Sequence, residues 1–211
     1  MKIIIVASSP HKSFKETYHL NPSDYFIGID GGCLELINRG ICPDISIGDF
    51  DSTPDLKLVK EKSYDTKFFP KQKDETDLEL ALKFLDTLKG SDNLEIDIYD
   101  ATGARLDHEF NNYLLMAKYS KYKIRIINKN NEVRFLKDGD KIKLRPQNLK
   151  YFSLCAVDNS IVSIKNALYN LDKQLLTSKD TFAVSNEPVS KEISPIIEIE
   201  KGSIFLFTYY E

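Results

Sequence analysis

The chain has 211 residues, which is enough for one large domain or for two small ones. Its residues are 42% hydrophobic, 11% aromatic and 29% charged, which excludes disordered, collagen-like and low-complexity proteins and indicates an ordinary soluble globular chain. The net charge of -3 leaves no basic field to hold a polyanionic backbone, so we expect no nucleic-acid partner.

The cysteines and the apolar runs indicate the compartment. Cys33, Cys42 and Cys155 are an odd number and lack the paired spacing of metal ligands, so we expect reduced thiols in a cytosolic protein. The apolar run within Met1–Ala7 is shorter than the roughly 7 residues of a secretory signal core. Because no other run approaches the roughly 18 apolar residues of a membrane span, we predict a cytoplasmic protein without a membrane partner.

In the first part of the chain, short apolar runs alternate with helical patterns, which is typical of a sheet wound through crossover helices. The clearest helix begins at Thr76, where Thr76 and Glu79 form a capping box, and it closes at Gly90. We predict strands at Lys2–Ala7, Tyr25–Asp30, Ile45–Asp49, Lys67–Phe69 and Ile96–Asp100, and further helices at Leu34–Arg39, Pro54–Lys62 and about Leu106–Tyr119.

After Ile124 the pattern changes to short strand-like runs separated by turn pairs such as Asp138-Gly139. Such runs without intervening helices indicate an antiparallel sandwich or barrel. The predicted strands are Lys123–Asn128, Val133–Leu136, Lys141–Arg145, Tyr151–Val157, Ile161–Lys165, Thr181–Ser185, Ile196–Glu200 and Ile204–Tyr210.

The predicted fold class is α/β, with a wound α/β domain over residues 1–122 and an all-β domain over residues 123–211. The acidity belongs to the first domain, which carries 15 Lys and Arg against 21 Asp and Glu. The second domain carries 14 against 11. We therefore expect the first domain to present a negative electrostatic potential to its ligands.

Four clusters of small and acidic residues follow predicted strands of the first domain. In open α/β sheets, ligands bind at the carboxyl ends of the strands, so we expect these clusters to share one edge of the sheet. The clusters are Asp30–Gly32, Gly48–Ser52, Lys71–Asp77 and Thr102–His108.

Asp49 and Asp51 lie two residues apart at a predicted strand end, so both carboxylates should point to the same side. Hard oxygen ligands at this spacing suit Mg²⁺, and Phe50 between them should face into packing. The alternative is a turn in which Asp and Ser cap the helix that begins at Pro54. The residues alone leave both interpretations open.

Asp74 and Asp77 flank the N-terminus of the Thr76 helix, where the helix dipole also favours anions. They either add ligands to the metal site or simply cap the helix. Lys71 and Lys73 are typical of a solvated surface, but beside a metal they could hold phosphate oxygens.

The fourth cluster contributes Arg105, which offers a planar fork for phosphate, and Gly103, which lets the backbone pass close to a ligand. The alternative is that Asp107 caps the following helix and His108 is a surface residue. The chain contains no G-x-x-x-x-G-K-[ST] and no G-x-G-x-x-G pattern, so a phosphate site here must rely on metal ions.

Taken together and in this order, the clusters resemble the thiamine pyrophosphokinase family. The resemblance covers nearly the whole chain and implies an α/β nucleotide domain followed by an antiparallel β-sandwich, assembled as a homodimer with thiamine bound between subunits. The matching stretches are DGG at Asp30, GDFDS at Gly48, KDETDLELAL over Lys73–Leu82, TGARLDH over Thr102–His108 with Asn112 one helical turn on, and Ser185-Asn186-Glu187.

The resemblance implies that the hydroxyethyl oxygen of thiamine attacks the β-phosphorus of ATP, and that AMP departs. Mg²⁺ is the implied cofactor, and ATP and the cation thiamine are the implied small-molecule partners. The implied catalytic and metal residues are Asp49, Asp51 and Asp77. The implied ATP-binding residues are Asp30, Gly31, Gly48, Lys73, Arg105, Asp107, His108 and Asn112, and the implied thiamine-binding residues are Asp74, Thr76, Tyr169, Ser185 and Asn186.

The chain departs from the family's pattern at two positions. Ala104 stands where members commonly have a second glycine, a small change that should leave phosphate binding intact. The stretch Asn166–Tyr169 reads N-A-L-Y where members have a glycine before a G-L-K-Y-like aromatic. This second departure bears on how Tyr169 is presented to thiamine.

Two other functions fit parts of the sequence. The stretch Asp49–Thr53 also matches the D-x-D-x-T nucleophile motif of haloacid dehalogenase-type phosphatases, although no downstream GDxxxD motif follows and the all-β domain would be unexplained. The other alternative is a binding module without catalytic activity whose acidic loops bind Ca²⁺ and whose sandwich binds a partner.

Overall fold

The computed structural model describes residues 1–51, 53–88, 93–103 and 105–211. Predictions that involve Ser52, Gly90 and Ala104 lie outside these ranges. The chain divides into two compact units, Met1–Lys129 and Asn130–Glu211, which are taken in turn.

The first unit contains a parallel sheet whose strands alternate with helices. Its strand order is β4-β3-β2-β1-β5-β6, so the direction of winding reverses between β1 and β5. The elements are β1 Ile3–Val6, α1 Phe14–Thr17, β2 Tyr25–Ile29, α2 Gly32–Asn38, β3 Ile45–Gly48, α3 Leu56–Lys62, β4 Asp65–Phe68, α4 Asp77–Asp86, β5 Glu95–Tyr99, α5 Leu106–Lys118 and β6 Lys123–Ile127.

The central strands are buried on both faces because helices cover the sheet, as expected for parallel strands. All four residues of β1 and of β3 are buried. Asp97 of β5 is buried too, and its charge is paired, because Nε of Arg125 donates to its Oδ1 at 2.6 Å and Nζ of Lys2 donates to its Oδ2 at 3.2 Å. A buried carboxylate is tolerated when it is paired in this way.

The capping box predicted α4 correctly. Thr76 is the N-cap, and its Oγ1 accepts a hydrogen bond from the backbone N–H of Glu79 at 3.3 Å. In contrast, α3 begins at Leu56 and not at Pro54, because Asp55 is its N-cap and accepts from Leu58 N at 2.9 Å. Neither Asp49 nor Asp51 caps this helix.

The second unit is built from antiparallel strands in two sheets, with orders β7-β13-β9 and β11-β10-β12-β8. Buried side chains of both sheets, among them Leu154, Leu206, Val162 and Ile197, form one hydrophobic core. The strands are β7 Asn131–Lys137, β8 Lys141–Lys143, β9 Leu149–Ala156, β10 Ser160–Lys165, β11 Leu171–Leu176, β12 Ile196–Lys201 and β13 Ser203–Tyr210.

Two expectations for the second part need correction. Lys123–Ile127 is expected in the all-β domain, but it pairs in parallel with β5 and lies in the first compact unit, which ends at Lys129. A short apolar run does not reveal whether its partner strand is parallel or antiparallel. The prediction of a strand over Thr181–Ser185 is wrong, because Val184 N bonds back to Thr181 O at 3.2 Å in a turn.

The strand missed by the prediction is β11, which pairs with β10 at the edge of its sheet. Four of its six residues are exposed, so it lacks a run of buried apolar residues. Polar edge strands of this kind protect a sheet against aggregation. Their exposed side chains also make the strand difficult to recognise from the sequence. No helix within the described ranges has the length and apolar character needed to cross a membrane.

Candidate active site

A cleft of about 680 Å³ opens in the first unit at the carboxyl ends of the parallel strands. The reversal of strand order between β1 and β5 places it where α/β sheets bind ligands. The predicted site residues that line it are Asp30, Asp49, Asp51, Lys73, Thr76, Asp77, Arg105, His108 and Asn112, and Lys71 lines it as well.

Asp30 lies at the end of β2 with its backbone in the left-handed region, at φ 47°. Its Oδ1 accepts a hydrogen bond from Phe50 N at 3.2 Å. A Cβ atom at Gly48 would overlap this oxygen, which explains why a glycine ends β3. Burial, helped by the nearby carboxyls of Asp77 and Asp49, raises the pKa of Asp30 to about 7 against the lowering effect of the Phe50 bond.

Asp49 and Asp51 lie together in a tight turn after β3. Asp49 Oδ1 accepts from Asp51 N at 3.0 Å, and Phe50 between them is buried with its backbone at φ 57°. The Phe50 ring packs 5.1 Å from the Phe68 ring, centroid to centroid. Phe50 therefore anchors the turn while both carboxylates stay at the cleft.

Two lysines pair with the acidic residues of the cleft. Nζ of Lys71 lies 2.5 Å from Oδ2 of Asp51, and Nζ of Lys73 lies 3.0 Å from Oδ1 of Asp77, one helical turn along the chain. The Lys73 side chain is 11% exposed and that of Asp77 is 22% exposed, so this pair is well shielded from solvent. Each of these two lysines thus faces a carboxylate of the cleft.

The other end of the cleft is formed by the start of α5. Arg105 and Asp107 are both exposed and form a two-point ion pair, with Nε donating to Oδ1 at 3.2 Å and an Nη donating to Oδ2 at 2.5 Å. The Arg105 guanidinium lowers the pKa of Asp107. The N-cap of α5 is Arg105, so the alternative interpretation, in which Asp107 caps this helix, is wrong. Asn112 donates to Ala101 O at 2.9 Å, which fixes its side chain at the cleft.

Four of the site residues predicted in the first unit do not line the cleft. Gly48 lies against the side chain of Asp30, and Asp107 is paired with Arg105. Gly31 packs against Ser8, where a Cβ would approach Ser8 Cβ to 3.3 Å, and Asp74 is exposed to solvent. The first three are supports of lining residues.

In the second unit, the predicted thiamine residues form a local cluster. Asn186 is 3% exposed, and both ends of its amide bind the backbone of Tyr169, whose side chain points outward with 60% exposure. Ser185 adopts φ 59°, and its N–H donates to Ser153 Oγ at 3.0 Å. Asn166 adopts φ 62°, a conformation that glycine favours and asparagine tolerates, so this departure from the family's pattern preserves the turn.

Prediction from the sequence missed one wall of the cleft. Ser8, Ser9 and Pro10, which follow β1, line it together with Asp100, which follows β5. The signal that could have found them is the strand-end rule that identified the other clusters, because both segments directly follow apolar strands.

The cleft offers carboxylate oxygens, which are the type of donor atom that a hard divalent cation prefers. Oδ1 of Asp77 is buried, and apart from its ion pair with Lys73 it accepts no hydrogen bond from the described residues. The carboxyls of Asp77 and Asp49 lie close enough to Asp30 to raise its pKa. Carboxylate oxygens of this kind suit Mg²⁺. Within the described ranges, no three His, Cys, Asp or Glu side chains are grouped as a ready-made metal site. Asp51 is instead paired with Lys71, and Asp77 is paired with Lys73.

The fold and the site define an α/β protein with an acidic, lysine-flanked cleft at its topological switch point, a combination typical of proteins that bind phosphate groups through a divalent ion. Residues 17–128 match the family model described as thiamin pyrophosphokinase, catalytic domain. Thiamine pyrophosphokinase of Bacillus subtilis (strain 168) is 30% identical over 195 residues, which cover 89% of this chain and 90% of the relative.

Solved structures agree with this result. The crystal structure of thiamine pyrophosphokinase from Bacillus subtilis superposes with a TM-score of 0.86 at 25% identity, covering 100% of both chains. That of thiamin pyrophosphokinase from Geobacillus thermodenitrificans gives a TM-score of 0.83 at 25% identity, covering 100% of this chain and 98% of the other. The chain belongs to the thiamine pyrophosphokinase family. This decides against the phosphatase and the Ca²⁺-binding module.

Proposed function

We propose that this chain transfers the pyrophosphoryl group of ATP to the hydroxyl of thiamine in a Mg²⁺-dependent reaction that yields thiamine diphosphate and AMP. The observation that carries the proposal is the convergence of carboxylates from three separate segments, Asp30, the Asp49–Asp51 turn and Asp77, on one cleft in a chain of this family. Transfer of this kind depends on positioning and charge neutralisation more than on covalent chemistry.

Asp49, Asp51 and Asp77 are the residues that would hold Mg²⁺. A bound Mg²⁺ supplies neutralisation of triphosphate charge and helps to orient the phosphorus that is attacked. Asp30 stands beside these three carboxylates and faces the same cleft, where it can help to frame the nucleotide.

The lysines and the arginine have partners in the free chain that a nucleotide can replace. Lys71 and Lys73 are held by Asp51 and Asp77, and Arg105 is held by Asp107. Triphosphate oxygens offer these cations a stronger charge-assisted partner than a single carboxylate. We expect Lys71 and Lys73 to move from carboxylate to phosphate when ATP binds, which leaves Asp51 and Asp77 to the metal.

Tyr169 and Ser185 are proposed to contact thiamine, with Asn186 holding Tyr169 in place. Thr76 and Asp74 are the other proposed thiamine-binding residues. Large apolar side chains close to Tyr169 and Ser185 in the sequence are exposed, among them Leu168 at 56% and Phe182 at 49%. Exposed apolar groups at this density are typical of a surface covered by another molecule. They support a homodimer in which thiamine lies between the two subunits.

The cytoplasm is the proposed location, since the described chain has three free thiols and Cys33 is fully buried. Burial raises the pKa of the Cys33 thiol to about 12, which makes this thiol unreactive.

The test is to incubate the purified protein with thiamine and ATP and to follow thiamine diphosphate by chromatography. Product should form with Mg²⁺, stop with excess chelator and return when Mg²⁺ is restored. Absence of thiamine diphosphate at every metal concentration would contradict the proposal. Sedimentation analysis of the same sample checks the dimer, which a monomer at working concentration would rule out.

A further inference from the structure

The cleft has two chemically different halves, which the strand order sets side by side. Over β3 and β2 lie the carboxylates Asp49, Asp51 and Asp30. Over β1 and β5 lie two short segments, Ser8–Pro10 and Asp100–Thr102. Apart from Asp100, every residue of these two segments is uncharged, so this half suits hydroxyl and ring groups better than a metal-bound triphosphate.

Asp100 ties the segment after β1 to the end of β5. It is 1% exposed, and its backbone lies in the left-handed region at φ 54°. Its Oδ1 accepts hydrogen bonds from Ser13 N at 2.6 Å, Ser13 Oγ at 3.0 Å and Phe14 N at 3.1 Å. Its carbonyl oxygen accepts from Ser9 N at 2.9 Å. One residue therefore fixes both ends of the loop from Ser9 to Phe14.

A second set of contacts fastens the same loop to the segment after β5. The Ser9 hydroxyl donates to Thr102 O, and His11 N donates to Ser9 Oγ at 3.2 Å. Oδ2 of Asp100 is buried without a hydrogen-bond donor among the described residues. A buried carboxylate with one unsatisfied oxygen costs stability, so stability alone does not account for an aspartate in this left-handed position.

We propose that Asp100 is a positioning residue that holds the Ser8–Pro10 segment as the wall against which the nucleoside of ATP rests. The inference rests on the proposed function, because it assigns the nucleoside to the β1 and β5 half of the cleft and the triphosphate to the acidic half. Preorganised walls improve ligand affinity because the ordering cost is met before binding.

The experiment compares Asp100→Gly with Asp100→Asn. Glycine accepts the left-handed backbone but removes the carboxylate, whereas asparagine keeps an acceptor oxygen for Ser13 and Phe14 and tolerates the same φ. Asp100→Gly should raise the KM for ATP about tenfold, which corresponds to about 1.4 kcal/mol, with a smaller change in kcat and in the KM for thiamine. Asp100→Asn should recover most of this loss.

The matched control is Asp24→Ala. Asp24 is also a buried carboxylate with three donors, Lys2 N, Tyr18 Oη and Asn21 Nδ2, but it lies at the opposite end of the strands and outside the cleft lining. It should lower the thermal midpoint without changing the KM for ATP. If Asp24→Ala raised that KM as much as Asp100→Gly, the effect would be general destabilisation and the inference would be wrong.

Two further measurements keep the inference testable if Asp100→Gly does not fold or the enzyme is inactive. Ser9→Ala removes only the hydroxyl that fastens the loop to Thr102, and it should raise the KM for ATP several-fold. Calorimetry with AMP alone should show weaker binding to the folded variants than to the wild type, and thiamine binding should be unchanged. An unchanged affinity for AMP, no AMP binding by the wild type, or a rise confined to the KM for thiamine would each overturn the inference.

Discussion

Asn186 holds the backbone of Tyr169 with both atoms of its side-chain amide, Nδ2 donating to Tyr169 O at 2.7 Å and Oδ1 accepting from Tyr169 N at 3.1 Å. The amide is thus engaged with the backbone, and we expect its effect on a ligand to pass through Tyr169. The family resemblance implies only that Asn186 is a thiamine-binding residue, so this contact gives the expectation a specific form.

Asn186→Ala should therefore misplace Tyr169. We expect the free energy of unfolding to fall by about 1 to 3 kcal/mol, because the N–H and C=O of Tyr169 and the N–H of Glu187 lose their partner. The KM for thiamine should rise about tenfold, equivalent to about 1.4 kcal/mol, with the KM for ATP little changed. The control is Asn170→Ala in the same loop, whose side chain binds Ala167 N and not Tyr169. Equal effects of both variants on the KM for thiamine would refute the assignment.

Asp51 and Asp55 are aspartates four residues apart that should respond differently to substitution. Asp51→Asn should lower kcat/KM by about a hundredfold or more if Asp51 holds the metal. Its unfolding free energy should hardly change, since its pair with Lys71 is exposed. Asp55→Ala removes the N-cap of α3 and should cost about 1 kcal/mol of stability without loss of turnover. Urea unfolding measures the stability of each variant, and initial rates measure its turnover. Wild-type turnover in Asp51→Asn would show that Asp51 does not hold the metal.

Gly48→Ala should disturb Asp30, because the added Cβ would overlap Asp30 Oδ1. We expect a loss of both stability and turnover. Gly40→Ala is the matched control: Gly40 adopts φ 74° with open space around it, so alanine should cost about 1 kcal/mol of backbone strain and leave turnover intact. If Gly48→Ala kept full turnover, close contact between Gly48 and Asp30 would not matter for the site.

Asp30 should make the stability of the metal-free protein depend on pH. Its pKa in the folded chain is raised to about 7 from an ordinary value of 3.8, so between these limits the folded state holds a proton that the unfolded state has lost. Stability from this group is therefore full below pH 4 and falls as the pH rises to 7. Asp30→Asn tolerates the left-handed backbone and removes this dependence.

Urea unfolding in chelator at several pH values between 4 and 8 tests this behaviour. The difference in unfolding free energy between Asp30→Asn and the wild type should grow in favour of the variant as the pH rises from 4 to 7, and it should level off above pH 7. A difference that stays constant with pH would show that Asp30 does not carry this proton.

Local signals predicted the parts of the fold that depend on local contacts. The capping box identified α4 because Thr76 and Glu79 are three residues apart. Helix α1 escaped prediction because it has only four residues and its first turn is bound by Asp100, which lies more than 80 residues away. The pairing of Lys71 with Asp51 spans 20 residues and likewise has no local signature.

The strand-end rule gathered most of the cleft but could not supply its backbone geometry. Asp30, Phe50 and Asp100 all adopt left-handed conformations that sequence patterns do not mark in residues other than glycine. These conformations turn the chain at the ends of β2, β3 and β5 and decide which side chains reach the cleft. The binding roles of the individual residues stay predictions until variants are measured.

The most direct test of the central claim is the identity of the two products from a single turnover of ATP and thiamine, followed by phosphorus NMR. Attack at the β-phosphorus predicts one AMP for each thiamine diphosphate from the first turnover onward. Formation of ADP together with thiamine monophosphate, or release of phosphate without consumption of thiamine, would contradict it.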